Sequence, residues 1–125
     1  MAKILLIDDD QDLSNLTKMA LVKKGHRVFV SHEAKSAMEE AIKQKPELIL
    51  MDVMLPGMNG AEIVKRMKLD PNLKDIPVVF LTALVSNNES NLEESGIIVD
   101  GLQYKTLGKP YEIDELLELV QDILS

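Results

Sequence analysis

Five polar residues stand where apolar runs end. Asp8 and Asp9 follow the run at 4–7, and Asp52 ends the run at 48–51. Thr82 ends the run at 78–81, and Lys109 follows the run at 104–107. Three carboxylates brought together repel one another and invite a cation. An all-oxygen set suits Mg²⁺, which keeps several of its waters and binds substrate phosphate. An ionised Asp is also a nucleophile toward phosphoryl groups, giving an aspartyl-phosphate. Phosphoryl transfer asks mainly for positioning and for neutralisation of oxygen charge. A cation, the Lys109 ammonium and the Thr82 hydroxyl could each take one phosphoryl oxygen.

For these residues to meet, the runs that carry them must end at one edge. Each run is continuously apolar rather than alternating, which predicts strands buried on both faces, as in a parallel sheet. Between them lie amphipathic stretches. The stretch at 12–24 carries Leu13, Leu16, Ala20 and Leu21 at helical spacing, with Gly25 as a stop. The stretch at 33–45 carries Ala34, Ala37, Met38, Ala41 and Ile42, and Pro46 closes it. Pro56 to Gly60 is turn-rich, and Ile63, Val64 and Met67 mark a third helix ending near Asp70. The last helix, at 112–124, turns Ile113, Leu116, Leu117, Val120 and Ile123 inward. Residues 28–30 make a further short strand, and 86–95 is polar and weakly helical. Five strands alternating with about five helices predict an open α/β sheet with helices on both faces. In such folds ligands bind outside the carboxyl ends of the strands.

Composition narrows the function. The 125 residues fit one domain, 1–125, with an aliphatic core, since only two Phe and two Tyr are present. A formal net charge of −7 disfavours nucleic acid, which demands basic clusters, and anionic membrane surfaces. Without Cys there is no disulfide, thiolate zinc site or thiol nucleophile, and the chain fits the cytoplasm. The apolar run at 4–7 is too short for a signal peptide, and no run could span a membrane.

The segments ILLIDDD, LILMDVMLPGMNG, VVFLTA and GKPY resemble the four signature segments of the receiver domains of bacterial two-component response regulators. The resemblance runs from Lys3 to Leu124. It implies a three-layer, flavodoxin-like (βα)5 fold with five parallel strands in order 2-1-3-4-5. It implies Asp52 as the phosphoacceptor. Asp9 becomes a direct Mg²⁺ ligand, Asp8 acts mainly through a coordinated water, and the Met54 backbone carbonyl completes the protein ligands. Thr82 and Lys109 would bind the phosphoryl group, Thr82 swinging toward it as a switch, with a cis Lys109–Pro110 peptide. Expected partners are a sensor histidine kinase or histidine phosphotransfer protein and a downstream protein target. The expected state is a monomer or weak homodimer that catalyses only its own phosphorylation and dephosphorylation.

Departures from that pattern carry information. The receiver switch aromatic, three residues before the site Lys, is here Thr106; Tyr104, two residues earlier on the same strand face, is the candidate replacement. The alternative is that the aromatic half of the switch is missing. The segment between Thr82 and Lys109 is longer than usual. Met54 and Leu84 occupy the two positions that tune hydrolysis, and neither can orient a water, which predicts a long-lived phosphoryl group.

Other readings compete. Asp10 reads as a helix N-cap rather than a ligand. The Met51, Met54 and Met58 group reads as packing, and His26 and His32 read as surface residues. A pseudo-receiver that keeps the fold without the chemistry is the main alternative. A flavin carrier would need a phosphate-binding loop where Asp8-Asp9-Asp10 stand. An Asp-nucleophile phosphatase would place a second Asp where Met54 stands.

Overall fold

The computed structural model describes residues 2–83 and 97–125. The readings of Leu84 and of 86–95 therefore lie outside the described residues. Each apolar run forms a strand: β1 (Lys3–Ile7), β2 (Arg27–Ser31), β3 (Leu48–Asp52) and, later, β6 (Val78–Thr82). A two-stranded ribbon, β4 (Met54–Leu55) and β5 (Met58–Asn59), follows β3 directly, and β7 (Ile97–Val99) and β8 (Leu102–Gly108) complete the strands. The described helices are α1 (Gln11–Lys23), α2 (Ala34–Gln44), α3 (Gly60–Met67) and α4 (Ile113–Leu124).

The main sheet runs β2-β1-β3-β6-β8-β7. Its first five strands are parallel and reproduce the expected 2-1-3-4-5 order of a flavodoxin-like α/β fold. The sixth is a departure. β7 pairs antiparallel with β8 across the Asp100–Gly101 turn, so the atypical segment before Lys109 forms a hairpin. Both turn residues have positive φ (51° and 80°), the geometry of a type I′ turn, for which Asp-Gly is favoured.

The sheet separates two apolar layers. Leu5, Ile7, Ile49, Met51 and Phe80 face α2 and α3 (Ala37, Ala41, Ile63, Val64, Met67). Ile4, Leu6, Leu48, Leu50, Val79 and Leu81 face α1 and α4 (Leu21, Leu116, Val120). This alternation along strands buried on both sides is why the runs carried no polar positions.

Helix α1 corrects the sequence reading. Its inward stripe is Ser14, Thr17 and Leu21, while Leu16 is 57% exposed. Two polar residues face the core because each hydroxyl finds a partner. Ser14 Oγ donates to the Gln11 carbonyl at 3.1 Å, and Thr17 Oγ1 lies 2.7 Å from the Tyr111 hydroxyl. Removing that partner would strand a buried hydroxyl, so Tyr111→Phe should cost about 1–2 kcal/mol. Urea unfolding would measure it; a variant as stable as the wild type would show the pair contributes nothing. Ile42, the last apolar residue of the 33–45 stretch, is half exposed on α2.

Candidate functional site

The carboxyl ends of β1, β3, β6 and β8 converge on one cleft. Asp8 lies one residue beyond Ile7, which pairs with Met51, so Asp8 and Asp52 leave adjacent strands side by side. Both are buried, at 0% and 2% exposure. Asp9 is exposed. Carboxylate oxygens of Asp8, Asp9 and Asp52 all lie within 4.8 Å of one another. Lys109 reaches in from the end of β8, its Nζ donating to Asp8 Oδ1 at 2.9 Å and to Asp52 Oδ2 at 3.1 Å.

Local backbone contacts hold each group. The Asp8 amide donates to the Ser31 carbonyl at 3.0 Å, and the Asp10 amide donates to Asp8 Oδ1 at 2.9 Å. Asp10 caps α1, its Oδ1 accepting from the Leu13 amide at 3.0 Å, as its position predicted. Asp52 Oδ1 accepts from the Met54 amide at 3.1 Å. The Lys109 amide donates to the Thr82 carbonyl at 2.8 Å, and the Lys109–Pro110 peptide is cis. Gly60 crosses immediately behind Asp52. A Cβ there would stand 2.1 Å from the Asp52 carbonyl oxygen, so only glycine fits.

The charges do not balance. One ammonium faces three carboxylates, and burial pushes the Asp52 carboxyl up to about 6; the Lys109 bond opposes this and the Asp8 charge adds to it. Burial works against the Lys109 charge, but its bonds to Asp8 and Asp52 outweigh that and hold its pKa above the usual lysine value. Asp8 Oδ2 is buried and has no hydrogen-bond partner among the described residues. A buried unpaired carboxylate oxygen is costly, and here it belongs to a cluster of oxygens with net negative charge. The residues therefore fit a hard divalent cation.

Not every expected residue faces the cleft. The open pocket, about 480 Å³, is lined by Asp9, Asp52, Met54, Ala83, Lys109 and Pro110 among others. Thr82 lies at the predicted strand end but is fully buried. Tyr104 is on the α3 side of the sheet. Its ring meets Phe80 edge-on (centroids 5.5 Å apart, planes at 83°), with Lys68 Nζ 5.8 Å from the ring centroid. It lies four residues before Gly108, the partner of Thr82, or roughly 13 Å along the strand. Thr106, on the same face, buries a hydroxyl oxygen that has no hydrogen-bond partner among the described residues.

The histidines are not plain surface residues. His26 is half buried and its Nδ1 accepts from the Ala2 amide at 3.2 Å. His32 is half buried at the end of β2, its Nδ1 2.9 Å from the Asp8 carbonyl. The signal for His32 was available, because it follows a strand of the same sheet at the same edge as the other five.

The profile of the response regulator receiver domain matches residues 4–121. The chain belongs to that family. Receiver domains place it in two-component signal transduction. It is 32% identical over 123 residues to Sporulation initiation phosphotransferase F of Bacillus subtilis, an alignment covering 98% of this chain and 93% of that protein. It is also 32% identical to the DNA-binding dual master transcriptional regulator RpaA of Synechocystis, covering 99% of this chain but 49% of that protein. The receiver thus spans about half the length of that DNA-binding regulator. Among solved structures, the chemotaxis response regulator CheY4 of Vibrio cholerae superposes with a TM-score of 0.83 at 27% identity, covering 98% of each chain. Among the described residues, no helix of the receiver is long and apolar enough to cross a membrane.

Proposed function

We propose that residues 1–125 form one receiver domain that accepts a phosphoryl group on Asp52 in a Mg²⁺-dependent step. The observation that carries this reading is the buried meeting of Asp8, Asp52 and Lys109 beside an exposed Asp9. Asp9, Asp52 and the Met54 carbonyl would hold the cation directly, and Asp8 through a coordinated water. When bound, the cation supplies charge neutralisation for the phosphoryl oxygens. Asp52 Oδ attacks the phosphorus while the P–N or P–O bond to the donor breaks, and the leaving group departs with that bonding pair. Lys109 then exchanges its hold on Asp52 for a phosphoryl oxygen. Thr82 turns its hydroxyl out of the sheet toward another. Phe80, on the same face of β6 and packed on Tyr104, supports Tyr104 as the second half of the switch.

The donor is a sensor histidine kinase or histidine phosphotransfer protein, and the output is contact with a downstream protein. The charge of −7 supports protein rather than nucleic-acid or membrane contacts, and the lack of Cys fits the cytoplasm as the compartment. The domain acts as a monomer or weak homodimer and turns over no substrate other than its own phosphoryl group.

The test is intact mass after incubation with acetyl phosphate, with and without Mg²⁺. A Mg²⁺-dependent gain of one phosphoryl group, absent from Asp52→Asn, is expected. No gain from a folded, Mg²⁺-binding protein would favour a pseudo-receiver instead.

The phosphoryl group should be long lived. Met54 is 55% exposed at the cleft, and its thioether cannot orient an attacking water. Met54→Asn should shorten the lifetime on the order of tenfold by positioning that water. Decay followed by mass would show it; a wild-type half-life of seconds would count against the argument.

A further inference from the structure

We propose that His32 is a positioning residue for the acidic cluster: its ring holds the peptide between Asp8 and Asp9 and so sets where the Asp9 carboxylate stands. This rests on the reading of the cluster as a cation site. A carbonyl oxygen can only accept, so the His32 Nδ1, 2.9 Å from the Asp8 carbonyl, carries the proton. The other ties on Asp8 hold different atoms. Ser31 takes its amide, while the Asp10 amide and Lys109 Nζ take its Oδ1. Among the described residues only the His32 ring grips the carbonyl, and the orientation of that carbonyl fixes the peptide plane that leads to Asp9.

Asp9 depends on that plane more than its neighbours do. Asp8 and Asp52 are buried and bound to Lys109, whereas Asp9 is exposed and none of the described hydrogen bonds or ion pairs holds its carboxylate. Its place within 4.8 Å of the other two is set by its backbone. Groups that orient ligands from outside commonly change metal affinity 10- to 100-fold. β2 is thereby part of the site, although it contributes no ligand.

Calorimetric titration with Mg²⁺ tests this on the full chain, with thermal melts in EDTA as the control for folding. Asn places an amide N–H at about the reach of the imidazole Nδ1; Gln places it a bond further. His32→Ala and His32→Gln should each weaken Mg²⁺ about tenfold, and His32→Asn should recover most of the loss. In the Asp9→Asn background, His32→Ala should change affinity less than twofold, because the residue it positions is already disabled. Unchanged affinity in His32→Ala, or equal losses in the Asn and Gln variants, would overturn the proposal. A wild-type chain that takes up no Mg²⁺ would overturn the cation reading, and this proposal with it.

Discussion

In metal-free protein at pH 8, Asp52→Asn should melt several degrees above the wild type, and the gap should close as the pH falls toward 4. The cause is the burial that raises the Asp52 pKa from 3.8 to about 6. A carboxyl whose folded pKa is raised favours the folded state while it is protonated. That contribution is complete below pH 3.8 and is lost as the pH rises through about 6. Above that pH the wild type carries a buried charge that Lys109 only partly compensates. Asn removes the charge, keeps an oxygen for the Met54 amide, and leaves Lys109 its bond to Asp8. The expected gain is about 1–3 kcal/mol. Saturating Mg²⁺ should narrow the gap from the wild-type side, because a cation bound only by the folded chain stabilises it by mass action. The decisive measurement is the melting difference as a function of pH in EDTA. A wild type more stable than the variant at pH 8 would show that Lys109 fully compensates the charge.

Gly60→Ala should destabilise the fold by about 2–4 kcal/mol. The added Cβ would meet the Asp52 carbonyl oxygen at 2.1 Å and Met51 Cγ at 2.9 Å. The Met51 side chain can rotate; the Asp52 backbone cannot move without shifting the Asp52 carboxylate. The Gly60 amide also donates to the Val53 carbonyl at 2.8 Å, which ties the start of α3 to the end of β3. Even the folded fraction should take up phosphoryl groups more slowly than wild type. Urea unfolding paired with the acetyl phosphate assay reads both effects. A loss below 0.5 kcal/mol would mean that α3 can slide away from β3 at little cost.

Much of the site was legible because the chain marks strand ends sharply. Asp8, Asp9, Asp52, Thr82 and Lys109 each close an apolar run, and a parallel sheet collects such ends at one edge. The elements that periodicity misplaced are those where polar residues face inward. Ser14 and Thr17 line the core side of α1 because Gln11 and Tyr111 satisfy their hydroxyls, and the Tyr111 partner lies 94 residues away from Thr17. No local pattern announces such a pairing. The β7–β8 hairpin was different, since Asp100-Gly101 between apolar residues is a recognised turn signal. It was masked by the expectation of a purely parallel sheet. His32 carries the same strand-end signal, but its partner, the Asp8 carbonyl, lies 24 residues away at the end of the neighbouring strand.

The bond from Lys109 to Asp8 spans 101 residues, and the Tyr111–Thr17 pair beside it spans 94. Both cross the full chain, from the α1 end to the α4 end. A fluctuation that carries the C-terminal segment off the sheet would break both at once, a sub-global opening rather than the fraying of a loop. Amides around Asp8 and Lys109 should then exchange their hydrogens with nearly the same free energy as the sheet centre, and a nascent chain would not complete the Asp8–Asp52–Lys109 cluster until β8 had joined the sheet.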